Sequence, residues 1–184
     1  MRHFNRSGLD ASGFDGNPST PQLSKGSCSV FDLSHVAEVR APFDWVMSLE
    51  VGEHLPKEHE DAFMENLHRH NVHGIVLSWA TVGQGGTGHV NEQDNEYIKA
   101  KICGKGYTSD VKAELVLRKS ARLNFFQNTL MVFRKSEDSG VTEAVAKHRG
   151  ITNSSPRLLA GRRKLEPLVL LRGGDAWVGN LGNT

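Results

Sequence analysis

The chain has 184 residues, 38% of them hydrophobic, and its 22 basic and 21 acidic side chains leave a net charge of +1. That length supports one core of ordinary size, and the charge balance excludes the basic field of a nucleic-acid binder as well as a strongly acidic surface. Cys28 and Cys103 have no C-x-x-C partner, MRHFNRSGLD lacks an apolar stretch, and the longest aliphatic run is Leu168–Leu171, so the expectation is a cytoplasmic protein with reduced thiols and no membrane span.

In chain order, Leu9–Phe14 reads as a short strand that ends in the turn Asp15-Gly16-Asn17-Pro18. Ser29–Phe31 reads as a second strand, ending at Asp32. Phe43–Leu49 is a third and buried one, bounded by Pro42 and Glu50. Pro56 suits a first helical position, and the acids that follow it favour a helix N-terminus. Phe63, Met64 and Leu67 give that helix its apolar face, and Gly74–Trp79 is the next strand. Asn91 is placed to cap a helix carrying Tyr97, Ile98 and Ile102, stopped by Gly104 and Gly106. Tyr107–Ser109 is a short strand, Val111–Ala121 a helix or crossover with Leu115 and Val116 inward, and Thr129–Phe133 a last strand. Residues 136–184 are rich in Ser, Gly and Arg and carry one aromatic, Trp177; they read as a disordered or loosely packed tail, with a helical piece near 142–148. The basic triplet Arg162-Arg163-Lys164 reads as solvated surface.

Strands alternating with helices imply a largely parallel α/β sheet, and such sheets bind ligands beyond the carboxyl ends of their strands. Four acids fall there. Asp15 is equally a ribose-diol acceptor or a turn residue; Asp32 is an acceptor for an exocyclic amine or the start of a turn. After the third strand, Glu50, Glu53 and His54 cluster where acid–base groups are useful, although Glu53 and His54 also flank the entry to the Pro56 helix. No metal ligands are assigned. His54 and His59 do not form H-E-x-x-H, and His68, His70 and His73 fan around a helix end.

Gly83-Gln84-Gly85-Gly86-Thr87-Gly88 literally matches the dinucleotide fingerprint G-x-G-x-x-G, and Asp110 lies at the distance of a ribose-binding acid. The context differs, because His89, Val90 and Asn91 separate the glycines from the helix and the helix opens with acids. An NAD-dependent oxidoreductase is therefore the minor alternative, and a flexible acceptor-side loop presenting His89 and Asn91 the main one.

The stretches GLDASGFDGNP, SVFDL, FDWVMSLEVGEHLP, GIVLSWA and NTLMVFRK, in this order, resemble a class I S-adenosylmethionine-dependent methyltransferase, closest to the small type 11/12 domains. The resemblance covers about residues 1–135. It implies a Rossmann-like three-layer α/β sandwich, mostly parallel with an antiparallel last strand, followed by an atypical segment 136–184. It implies S-adenosyl-L-methionine as cofactor, held by Phe14, Asp15, Gly16, Phe31, Asp32, Leu33 and Glu50. On the acceptor side it implies Trp79, Gln84 and Glu53 as substrate contacts and His89, His54 and Asn91 as catalytic candidates, for a methyl acceptor of unknown identity. The family's acid-x-G-x-G loop and the strand before it, expected ahead of Gly8, are missing. The expectation is thus a truncated domain without the middle of its sheet, with a non-catalytic fragment or binding module as the alternative.

Overall fold

The computed structural model describes Phe4, residues 10–37, residues 43–136 and the backbone of Pro167–Leu170. The elements are β1 (Ser12–Asp15), α1 (Thr20–Leu23), β2 (Cys28–Val30), β3 (Phe43–Ser48), α2 (Glu60–Arg69), β4 (Asn71–Leu77), α3 (Asn95–Cys103), β5 (Tyr107–Ser109), α4 (Val111–Ser120), α5 (Asn124–Thr129), β6 (Met131–Lys135) and β7 (Pro167–Leu170). Short 3-10 turns at Gly52–His54 and Lys57–His59 lie between β3 and α2.

The strands form one sheet in the order β2-β1-β7-β3-β4-β6-β5. Strands β2, β1, β7, β3 and β4 run parallel, while β6 is antiparallel to both β4 and β5. The antiparallel last strand is therefore as the sequence implies. The missing middle is not. β7 pairs with β1 through Ser12↔Leu168 and Phe14↔Leu170, and with β3 through Trp45↔Pro167 and Ser48↔Leu170. The expected gap is filled by four residues of the segment read as a loose tail, and their aliphatic run suits a strand paired on both edges. The helical piece expected near 142–148 lies outside the described residues.

Packing explains the local choices. On α2, Phe63 and Leu67 are four residues apart and, with Met64, wholly buried, while Glu60 and Asp61 occupy the first turn and His68 and Arg69 the last. Gly74 of β4 lies so close to the Phe133 carbonyl and the Trp45 ring that a Cβ would overlap both. Ile98 and Ile102 anchor α3, whose N-cap is Asp94 rather than the expected Asn91. Asp110 caps α4 by accepting from the Ala113 amide at 3.0 Å and holds Arg134 at 2.7 Å. The expected inward face of α4 is also corrected. Leu115 and Val116 are half exposed or more, and the buried position is Glu114, which pairs with Lys99 and Arg118. Cys28 and Cys103 are free. Among the described residues, no helix is long and apolar enough to cross a membrane.

Because β7 is bonded on both edges, a proline within it must remove ladder hydrogen bonds. We expect Val169→Pro to lower unfolding stability by about 1–3 kcal/mol, the cost of leaving a buried ladder carbonyl without its donor, measured by urea denaturation. An unchanged midpoint would show that β7 contributes nothing to the sheet.

Candidate functional site

The parallel strands end at one edge of the sheet, and the register places their ends level: Asp15 is opposite Val30, and Ser48 is opposite both Leu77 and Leu170. Asp15 follows from β1, Asp32 from β2 and Glu50 from β3, so three carboxylates stand along this edge. With neighbouring strands about 4.8 Å apart, Asp15 and Glu50 flank the end of β7 across about 10 Å.

Each acid is positioned differently. Asp15 is nearly buried, and its Oδ1 accepts from the Asn17 amide at 2.8 Å and the Thr20 hydroxyl at 3.4 Å, which makes the turn. Asp32 is exposed. The Ser34 hydroxyl and amide, at 2.7 and 2.9 Å, together with His35 hold its carboxyl below the usual range. Phe31 and Leu33, expected beside a cofactor ring, are packed in the core, with the Phe31 ring edge-on to Phe14 and His70. A Cβ at Gly16 would stand in ordinary van der Waals contact with the Phe31 carbonyl. Glu50 is left-handed, at φ 51°. Such a residue costs about 1–3 kcal/mol and persists only where its surroundings impose it. Here its amide donates to Ser78 Oγ at 2.8 Å and its Oε2 accepts from Gln84 Nε2 at 2.9 Å.

The glycine-rich stretch has a clear structural reason. Gly83, Gly85 and Gly88 are left-handed, with φ of 85°, 69° and 77°. Gly86 supports the face of His89, whose ring a Cβ would overlap. The amides of Gly83 and Gly85 donate to the two carboxylate oxygens of Glu92, each at 2.8 Å, and His89 Nδ1 reaches the same carboxylate at 2.9 Å. His89 and the amides, led by the His89 hydrogen bond, hold the Glu92 carboxyl below its usual range. The loop's anion is thus a side chain of the chain itself, and the donors a diphosphate would need are taken. Asp110, the acid of that alternative, is occupied as a helix cap. The dinucleotide reading does not survive, and the loop is pinned rather than freely flexible.

The loop folds back onto the turn after β3. The Glu53 carbonyl accepts from the amides of both Val90 and Asn91, at 2.9 and 3.0 Å. This brings together Glu53, wholly buried, with His54 and His89, both largely buried. The two imidazole rings meet edge-to-face at 4.8 Å. His54 Nδ1 lies 3.0 Å from the Gly88 carbonyl, and its Nε2 lies 3.9 Å from Glu53 Oε1.

Other sequence candidates are committed to structure. Trp79 is wholly buried, donates from Nε1 to the Asn91 carbonyl at 2.6 Å and packs against Phe63, and a Cβ at Gly52 would overlap its ring. It is part of the hydrophobic core. The Asn91 side chain donates to Glu60 Oε2 at 3.0 Å and accepts from Gln93 at 2.6 Å, so it is a positioning residue. Gln84 accepts from the Thr81 amide while holding Glu50. His68, His70 and His73 reach separate partners, Tyr107, the Asn66 carbonyl and Asp44.

No protein-family model matches the sequence, and no curated protein matches it. Solved structures do. A protein studied for the conversion of a disulfide bond into a thioacetal group during echinomycin biosynthesis superposes with a TM-score of 0.52 at 13% identity, over 84% of this chain and 78% of the other. The chain shares the α/β fold of that protein. Also similar are magnesium protoporphyrin IX methyltransferase (ChlM) of Synechocystis PCC 6803 with bound SAH, at TM-score 0.44, 16% identity, 73% of this chain and 80% of that one. The methyltransferase domain of bacterial CtHen1-C matches at 0.47 and 18% identity, over 71% of this chain and 80% of that one. In parallel α/β sheets of this kind, ligands bind at the carboxyl edge of the strands.

Sequence reasoning missed Glu60. Burial would raise its carboxyl, but Lys57, Tyr97, Asn91 and Lys101 outweigh that and hold it at about 2. A carboxyl lowered in the folded state stabilises above its ordinary value and loses that contribution as pH falls through the lowered one. We expect wild-type stability to drop between about pH 4.5 and 2, and Glu60→Gln to remove on the order of 3 kcal/mol of that dependence. Parallel denaturation curves for the two proteins across this window would refute the assignment.

Proposed function

We propose that the chain binds S-adenosyl-L-methionine across the carboxyl ends of β1, β2 and β3 and transfers its methyl group to a nucleophilic acceptor. The observation that carries this reading is the row of Asp15, Asp32 and Glu50 at one sheet edge, with Glu50 in an imposed left-handed conformation. In this arrangement Asp15 accepts the ribose hydroxyls, Asp32 the adenine amine, and Glu50 the amino-acid portion of the cofactor. Phe14, Phe31 and Leu33 pack in the core behind Asp15 and Asp32 and, with Gly16, support the turns that carry them.

The reaction forms one bond, from the acceptor lone pair to the methyl carbon, and breaks one, from that carbon to the sulfonium sulfur. The leaving group is a neutral thioether. Alignment of nucleophile, methyl and sulfur therefore supplies most of the rate enhancement. In the metal-free chain, a proton borne by the acceptor passes to an imidazole, and His54 and His89, gathered at Glu53, are the candidates. A ChlM structure with bound SAH supplies a precedent for the product of such a reaction in a similar protein.

The test is isothermal calorimetry of the chain with S-adenosylmethionine and with NAD. Binding of the first and not the second is expected. Asp15→Asn retains an oxygen for the Asn17 turn but loses the charge that two hydroxyls require, and it should weaken binding about tenfold or more. Unchanged affinity would overturn the role of Asp15, and absence of binding by the wild type would favour a non-catalytic module.

A further inference from the structure

The juxtaposition of Glu53, His54 and His89 has a feature that acid–base chemistry does not require. The Gly88 carbonyl can only accept, so the neutral His54 ring carries its proton on Nδ1 and leaves a lone pair on Nε2. The Glu92 carboxylate imposes the same tautomer on His89, whose Nδ1 donates to it. Both rings are thus fixed with Nε2 as the electron-pair donor, and Glu53 adds a buried carboxylate. One ligand atom from each of the three residues lies within 4.8 Å of the others.

We propose that Glu53, His54 and His89 form a binding site for a single divalent transition-metal ion of the manganese-to-zinc series. Two imidazoles and one carboxylate are a donor set suited to these ions, and three protein ligands leave positions for water or a substrate oxygen. Ligand nitrogens and oxygens about 2.0–2.2 Å from an ion stand about 3–4 Å apart, so closure from the present spacing takes small side-chain rotations. The outer partners are those metal sites use: His89 is oriented by a carboxylate and His54 by a main-chain carbonyl. Gly86 belongs to the same design, since any side chain there would displace the His89 ring.

The site does not depend on S-adenosylmethionine. It does compete with proton removal, because ligation uses the same Nε2 lone pairs. If the chain is a methyltransferase, the ion then recruits an acceptor with an anionic or hydroxyl oxygen, and neither histidine acts as base; this last step rests on the function proposed above.

The experiment titrates the full chain, without cofactor, with Mn(II) and follows the free-ion electron paramagnetic resonance signal, with Zn(II) as competitor. One saturable Mn(II) per chain is expected, with affinity reduced about tenfold or more in His89→Gln and in His54→Gln. His73→Gln, remote from the site and beside Asp44, should bind as the wild type does. X-ray absorption of the Zn(II)-loaded wild type should show two imidazoles on the ion, and this readout needs no variant. Non-saturable binding, wild-type affinity in both histidine variants, or a zinc shell without imidazole would each overturn the site. Metal binding without S-adenosylmethionine binding would support the site and remove only the proposed reaction.

Discussion

The main-chain carbonyl of Glu53 accepts two consecutive amides, those of Val90 and Asn91, and most of the candidate site follows from that junction. It fastens the loop after β4 to the turn after β3, two segments separated in sequence by a helix and a strand. The Glu60 carboxylate reinforces the junction from below, gathering Asn91 from the loop, Tyr97 and Lys101 from α3 and Lys57 from the turn before α2. The Asn91 carbonyl in turn accepts from the Trp79 indole. A buried carboxylate with several hydrogen bonds is stable where one left alone would not be. His89 consequently arrives beside Glu53 on a rigid base, although it belongs to a loop with four glycines and polar residues around it.

Much of this was legible in the sequence. Runs such as FDWVMS and GIVL gave strands because they are apolar and bounded by turn residues, and the acids after them marked the ligand edge of the sheet. The order of those pieces also carried the resemblance to class I methyltransferases. Side-chain fates were less legible. Trp79 and Asn91 stand where an acceptor could be met, yet one fills the core and the other braces Glu60. Nothing local distinguishes a tryptophan aimed inward from one aimed at a substrate. The inward face expected of Leu115 and Val116 failed because Glu114, with Lys99 and Arg118, occupies the buried position. Ion pairing between elements overrode hydrophobic order there.

The glycine loop shows the same limit from another side. Its spacing fits a phosphate cradle, and its amides do converge on an anion. That anion is Glu92, seven to nine residues downstream, so the pattern is satisfied internally. A motif defined by glycine spacing records a backbone shape, and the partner that fills the shape must be found in three dimensions. The spare glycine, Gly86, has a different task from its neighbours, as it leaves room for an imidazole ring rather than permitting a left-handed turn.

The placement of β7 separates the order of synthesis from the order of assembly. Strands β1 and β2 form one block and β3, β4, β6 and β5 another, and among the described residues β7 alone bridges them through strand pairing. On a ribosome, both blocks emerge before the four residues that join them. Until then each presents an unpaired inner edge, the kind of surface that recruits other strands. Completion of the sheet is therefore a late event with long-range contacts, which slow folding. For the cell, this makes the interval between residue 136 and residue 170 the period in which a nascent chain most needs shelter from its neighbours.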